Sequence, residues 1–239
     1  MVPTHADFFE LATSSQSRWR TVRFQATWSR DWHVHPPVRA WVRRPGDQRV
    51  ETLDGRLIET SHGDEPYFRN YHWPAMLDPR ELADGCDRMT GECSPGVHLD
   101  SVTVVDHHGR PALEAVLNPT ADYAPRCGCC PLLRSGFAEA LESNGAYAVW
   151  APPRDGQSYP DSHRVRIDVE TGICVYSEEI GGSRVGQGHD LTIEAVDESM
   201  TDALFALAAE PKRHWFQRRP YPRRSTHSKV FLQSRRRTR

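Results

Sequence analysis

His163-Arg-Val-Arg-Ile-Asp-Val-Glu-Thr-Gly172 continues through Ile-Cys-Val-Tyr-Ser-Glu-Glu-Ile180, Gly181-Gly182 and on to Leu191-Thr-Ile-Glu-Ala-Val196. Val165, Ile167 and Val169 alternate with Arg164, Arg166 and Asp168, the period-two signature of a strand with one dry and one wet face. Glu170-Thr171-Gly172 supplies a tight turn in which Gly172 is free to take a positive φ. Ile173–Ile180 runs back, Gly181-Gly182 opens a second reversal, and a third strand closes on Leu191, Ile193 and Ala195. An antiparallel meander is the expectation for this stretch.

Working outward, a second meander occupies the first third. Val22, Phe24, Ala26 and Trp28 alternate with polar neighbours, and Val38–Arg43 resumes after Pro36-Pro37. Arg44-Pro45-Gly46-Asp47 and Asp54-Gly55 are turns, with strands expected over Gln48–Leu53 and Arg56–Thr60. Asp7–Ser15 reads as a short helix whose apolar side is Phe8, Phe9, Leu11 and Ala12. Two further strands, Val97–Val105 and Pro111–Leu117, are joined across Asp106-His107-His108-Gly109. The spacing predicts a short helix after Asp78-Pro79, another over Leu132–Glu142 behind Pro131, and a last one over Met200–Ala208 capped by Ser199.

The 239 residues suffice for one sizeable core. A hydrophobic share of 38% suits a layered fold with one solvated sheet face better than a parallel sheet buried on both sides. The net charge of −2 hides an asymmetry, because no acidic residue follows Glu210 while lysines and arginines crowd the end. Residues 1–210 therefore read as one domain, with an insertion at 118–161, and residues 211–239 as a basic, disordered tail. No secretory signal is visible at the N-terminus, and no run approaches about 18 apolar residues. A cytoplasmic protein is the expectation, an exported mature domain the alternative.

The order of the pieces resembles the bacterial LolA-like lipoprotein-carrier superfamily and the related periplasmic regulators of envelope stress. The matching segments are Val38-Arg-Ala-Trp-Val-Arg-Arg-Pro-Gly46 with Arg49-Val50-Glu51 and Asp54-Gly55, then Arg164–Gly172 and Asp197–Phe205. The resemblance implies an α+β fold, a strongly curved antiparallel β-sheet forming an open half-barrel with helices covering its concave face. It also implies a cavity under a helical lid for a lipid, acyl chain or polyketide-like molecule, bound without catalysis.

Trp28, Trp41, Tyr67, Phe68, Tyr71, Trp73, Met76 and Trp150 are the residues expected to line that cavity, although any sheet must pack some such side chains in its core. Cys86 and Cys93 share one irregular loop, and Cys127, Cys129 and Cys130 cluster in the Pro-rich insertion. Clustered loop cysteines close on a structural zinc ion or as two disulfides, with free thiols the remaining alternative, and the two loops are expected to meet. Cys174, on a strand, reads as a small core residue. His33 and His35 precede a proline at a strand end, and His107-His108 fall in a hairpin turn, where solvated imidazoles are the common state. No phosphate loop, GxSxG elbow or HExxH is present, so enzyme chemistry has no positive signal and the reading leans away from it. The alternatives are a small enzyme that shapes a hydrophobic substrate in the same cavity, and an interaction protein organised by the cysteine loop and tail. Trp215, Phe216, Tyr221 and Phe231 among the tail arginines would allow stacking on nucleic acid or contact with an anionic membrane.

Overall fold

The computed structural model describes residues 2–30, 33–34, 36–62, 73–86, 93–125, 131–144, 152–153 and 156–206. Helix α1 (His5–Arg18) leads into β1 (Thr21–Arg30), β2 (His33–Val34), β3 (Val38–Arg43), β4 (Asp47–Thr52) and β5 (Leu57–Ser61). Helix α2 (Trp73–Leu77), a 3-10 turn (Arg80–Leu82), β6 (Gly85–Cys86) and β7 (Cys93–Ser94) follow. Then come β8 (Val97–His107), β9 (Arg110–Pro119), α3 (Gly136–Asn144), β10 (Ser162–Asp168), β11 (Cys174–Ile180), β12 (Gly188–Val196) and α4 (Asp202–Phe205). Nine strands form one antiparallel sheet in the order β5-β4-β3-β1-β12-β11-β10-β9-β8, with β2 paired to β1. Both meanders are present, and β12 lies against β1, so the last strand among the described residues joins them.

Side-chain alternation sets the two faces. The register Val165↔Ser177, Ser177↔His189 and Trp28↔His189 carries one face across four strands, and Phe24, Ala26, Leu191 and Ile193 share it. Helices α1 and α2 both cover this face. Phe8, Leu11 and Ala12 pack with Leu117, Val165 and Ile167, while Trp73, Met76 and Leu77 pack with Phe24, Val38 and Leu191. The other face is wet and laced with ion pairs: Arg166 with Glu114, Arg164 with Glu178, and Arg23 and Arg39 with Glu194. Such half-exposed pairs keep a sheet face soluble and add little stability singly.

Helix α1 starts where it does because Thr4 and Asp7 cap it reciprocally: the Asp7 amide donates to Thr4 Oγ1 at 3.3 Å and the Thr4 amide to Asp7 Oδ2 at 2.7 Å. It docks on the β10–β11 turn at Gly172, whose φ is +69°. A Cβ there would stand 2.6 Å from the Leu11 carbonyl oxygen and 3.0 Å from Ser15 Cα. Gly172 thus serves both the turn and the helix packing. Ser15 donates to the Leu77 carbonyl at 2.8 Å and so ties α1 to α2.

Several expectations need correction. The protein is mostly β with a few short helices, and its sheet is open and not strongly curled. A period-two pattern specifies pairing and faces; curvature depends on where ladders slip, and here bulges fall at Arg23/Phe24, Val50/Glu51, Leu99/Val102 and Arg166/Ile167. Helix α3 starts at Gly136, four residues later than Leu132, and the Leu132 and Leu133 amides donate to Glu81 and to the Tyr123 hydroxyl. Ser135 then takes over as the helix start, accepting from the Ala138 amide at 3.3 Å. The helix expected over Met200–Ala208 is the short α4, and the one expected after Pro79 is a single 3-10 turn. The loop holding Cys86 and Cys93 contains a two-residue ladder. The chain divides into units Met1–Ala208 and Ala209–Arg239, and the expected disordered basic tail lies outside the described residues. No helix among the described residues is long and apolar enough to cross a membrane.

Candidate binding cleft

The aromatic residues named from sequence separate in space. Trp73 and Met76 are each 1% exposed, and the Trp73 ring meets Phe24 edge-on at 5.2 Å. Half-buried Trp28 packs against the same cluster. Trp41 does not join them: it stands between Arg23 and Arg49 on the wet face, while its neighbours Ala40 and Val42 point into the core. The parity of β3 decides this, since one residue along a strand reverses the face. Tyr67, Phe68, Tyr71 and Trp150 lie outside the described residues.

A cleft of about 450 Å³ lies elsewhere, between α1 and the base of the β8–β9 hairpin. Its apolar lining includes Phe9, Val97 and Leu99, and its rim carries His5, His98 and Asp122. Phe9 is the apolar residue of α1 that the core leaves half-buried, and Leu99 precedes the β8 bulge, so both are held at the surface by local geometry. The rim is fixed by hydrogen bonds: Ser94 donates to Asp122, the Asp122 amide to Thr120 Oγ1 at 3.2 Å, and the Thr120 hydroxyl to the Gly96 carbonyl at 3.1 Å. Of the cavity residues expected from sequence, the described ones, Trp28, Trp41, Trp73 and Met76, do not line it. The only hint in the chain was exposed His98 between Val97 and Leu99, which reads as ordinary strand alternation.

Beneath the cleft runs a buried polar network. The Tyr123 hydroxyl donates to Glu81 Oε1 at 2.6 Å and accepts from the Leu133 amide at 3.0 Å, while the Leu132 amide donates to Glu81 Oε1 at 2.8 Å. Glu81 is 2% and Tyr123 3% exposed. Burial, followed by the Glu81 charge, pushes the Tyr123 hydroxyl well above the ordinary tyrosine value, so it stays a donor. Gly96 lets the backbones close here, since a Cβ would be 3.3 Å from the Glu81 carbonyl oxygen and from Tyr123 Cα.

This network joins the segments that bracket the two cysteine loops. Gly85 bridges to Tyr123, and Ser94 bonds Asp122. Cys86 and Cys93 are register partners in the β6–β7 ladder. Cys127, Cys129 and Cys130 lie outside the described residues, as does His35. Cys174 is fully buried, and its thiol, donating to the Tyr176 carbonyl at 3.4 Å, is pushed far up by burial.

No protein-family model matches the sequence, and no curated protein does. Solved structures that match include MucB, with a TM-score of 0.38 and 14% identity over 86% of this chain and 63% of that one. A second is MucB in complex with MucA(peri), with a TM-score of 0.37 and 15% identity over 86% of this chain and 60% of that one. The chain spans about three fifths of the length of those MucB chains, and it resembles them in structure at low sequence identity.

Proposed function

We propose that the protein binds an apolar ligand, such as an acyl chain or lipid, without transforming it, in the cleft between α1 and the base of the β8–β9 hairpin. The observation that carries this reading is the cleft itself. Its volume of about 450 Å³ falls in the range of small-molecule sites, and Phe9, Val97 and Leu99 give it an apolar floor under a polar rim. The strand-and-turn resemblance to lipoprotein carriers supports a binding role. Burying an apolar chain there would contribute roughly 25 cal/mol per Å² removed from water, while His5 and His98 on the rim could meet a polar head.

Titration of the full-length protein with a fluorescent fatty acid tests this. Saturable binding is expected, and Leu99→Arg should weaken it at least about tenfold, since a charge in an apolar site costs more than ~1.4 kcal/mol. The thermal midpoint of that variant should stay near the parent's, because Leu99 is only half-buried. Absence of saturable binding, or binding untouched by Leu99→Arg, overturns the reading.

A further inference from the structure

The other end of the β8–β9 hairpin reaches a strand that the sheet order places three positions from β9. The seam between β11 and β12 is short there. β11 and β12 share only three register pairs, Tyr176↔Asp190, Ser177↔His189 and Glu178↔Gly188, whereas β12 runs on beside β1 as far as Val196↔Val22. Past the seam, two imidazoles meet carbonyls that a longer ladder would have used. His189 Nε2 donates to the Cys174 carbonyl and His107 Nε2 to the Leu191 carbonyl, each at 2.9 Å. His107 comes from the hairpin tip and is 5% exposed.

The tip is a two-residue loop, His108-Gly109, with φ of 52° and 81°, the pattern of a type I′ turn. A positive φ is uncommon for a residue other than glycine. Here it accompanies a directed contact: His108 Nε2 lies 2.7 Å from Asp190 Oδ1, and the two histidine rings are 4.4 Å apart. His107 Nε2 is 3.5 Å from the same carboxylate oxygen. One donor atom from each of His107, His108 and Asp190 therefore lies within 4.8 Å of the other two. Burial pushes the Asp190 carboxyl up, and hydrogen bonds from His107 and His108 outweigh it and hold the group below its ordinary value.

We propose that His107, His108 and Asp190 form a binding site for a divalent transition metal of the zinc class, which fastens the hairpin tip to β12 across the gap in the sheet. Two imidazoles and a carboxylate are the ligand types such ions take, and ligands of a tetrahedral zinc stand ~3.3 Å apart, so small side-chain rotations bring these three into range. His108 is exposed, which leaves a coordination position open to solvent. Binding replaces the His107 bond to the Leu191 carbonyl with a metal bond at Nε2, and the ring proton moves to Nδ1, so the Arg166 N–H that now donates to Nδ1 gives up that bond and turns aside. Arg166, whose Nη1 is 3.3 Å from that Nδ1, is already ion-paired with Glu114 at 2.7 Å and stacked over Tyr176, so its charge is largely balanced. The site is independent of the cleft, which lies at the opposite end of the same hairpin.

The test uses full-length protein stripped of metal with a chelator, then titrated with Co²⁺ and Zn²⁺. The expected result is one equivalent of Co²⁺ with a nitrogen and oxygen spectrum that lacks a thiolate charge-transfer band, and a thermal midpoint that rises with Zn²⁺. His108→Ala, at an exposed turn position, and Asp190→Asn should each lower the affinity at least about tenfold. Absence of binding overturns the proposal. So does a thiolate spectrum that persists in His108→Ala, which would assign the metal to the cysteines.

Discussion

Arg110 clasps Asp168 through two parallel bonds, Nε to Oδ2 at 2.7 Å and Nη2 to Oδ1 at 3.0 Å, and so ties the start of β9 to the end of β10. Asp168 is 1% exposed, and its Oδ1 also accepts from the Thr171 amide and hydroxyl at 2.8 and 2.7 Å. The same Arg110 reaches Glu170 at 2.8 Å, but that carboxylate is 65% exposed. Arg110→Ala, which strands a buried carboxylate, should cost about 3 kcal/mol, and Glu170→Ala less than about 1 kcal/mol. Equal effects in chemical denaturation would contradict this ranking. Burial pushes the Asp168 carboxyl up, and the Arg110 and Thr171 bonds more than reverse it, leaving it below 3.8. Its contribution is therefore full above that pH and lost as pH falls through the folded value, and Asp168→Asn should remove that part of the acid limb.

Trp73→Ala should destabilise the fold by ~3–5 kcal/mol, because the side chain is fully buried against Phe24. Trp41→Ala, on the wet face, should cost about 1 kcal/mol or less. Denaturant midpoints of the two variants at unchanged m-value separate core from surface.

His163 is 2% exposed, and neither ring nitrogen has a well-formed hydrogen bond among the described residues. Burial, then the Arg134 charge, pushes its pKa from 6.5 down to about 3, while the Arg134 backbone acts in the opposite sense. The unfolded chain therefore binds a proton that the folded chain refuses, and stability falls as pH drops below 6.5. The loss reaches about 3 kcal/mol by pH 4. His163→Leu should flatten the stability profile between pH 6.5 and 4, and a slope unchanged from the parent would refute the assignment.

Cys174 should be the slowest thiol to alkylate in the native protein, since it is fully buried and its thiolate is strongly disfavoured. Its labelling, mapped by mass spectrometry, should track opening of the sheet and accelerate with denaturant. Labelling as fast as in the unfolded chain would contradict the packing.

What the sequence by itself determined was the local grammar. Alternation placed β1, β3, β8, β9, β10 and β12 to within a few residues, and Asp54-Gly55 and Gly172 marked turns whose glycines do take positive φ, +87° and +69°. These follow from sterics and from a strand having two faces, which are properties of neighbouring residues. Tertiary structure alone decided the rest. Face membership at Trp41 depended on β3's parity relative to β1, and the path of the chain into α3 is held by Glu81, some fifty positions earlier, which accepts from the Leu132 amide. The His107, His108 and Asp190 cluster was illegible for the same reason: eighty-two residues separate His108 from Asp190, and the packing of the folded sheet brings the hairpin tip to β12.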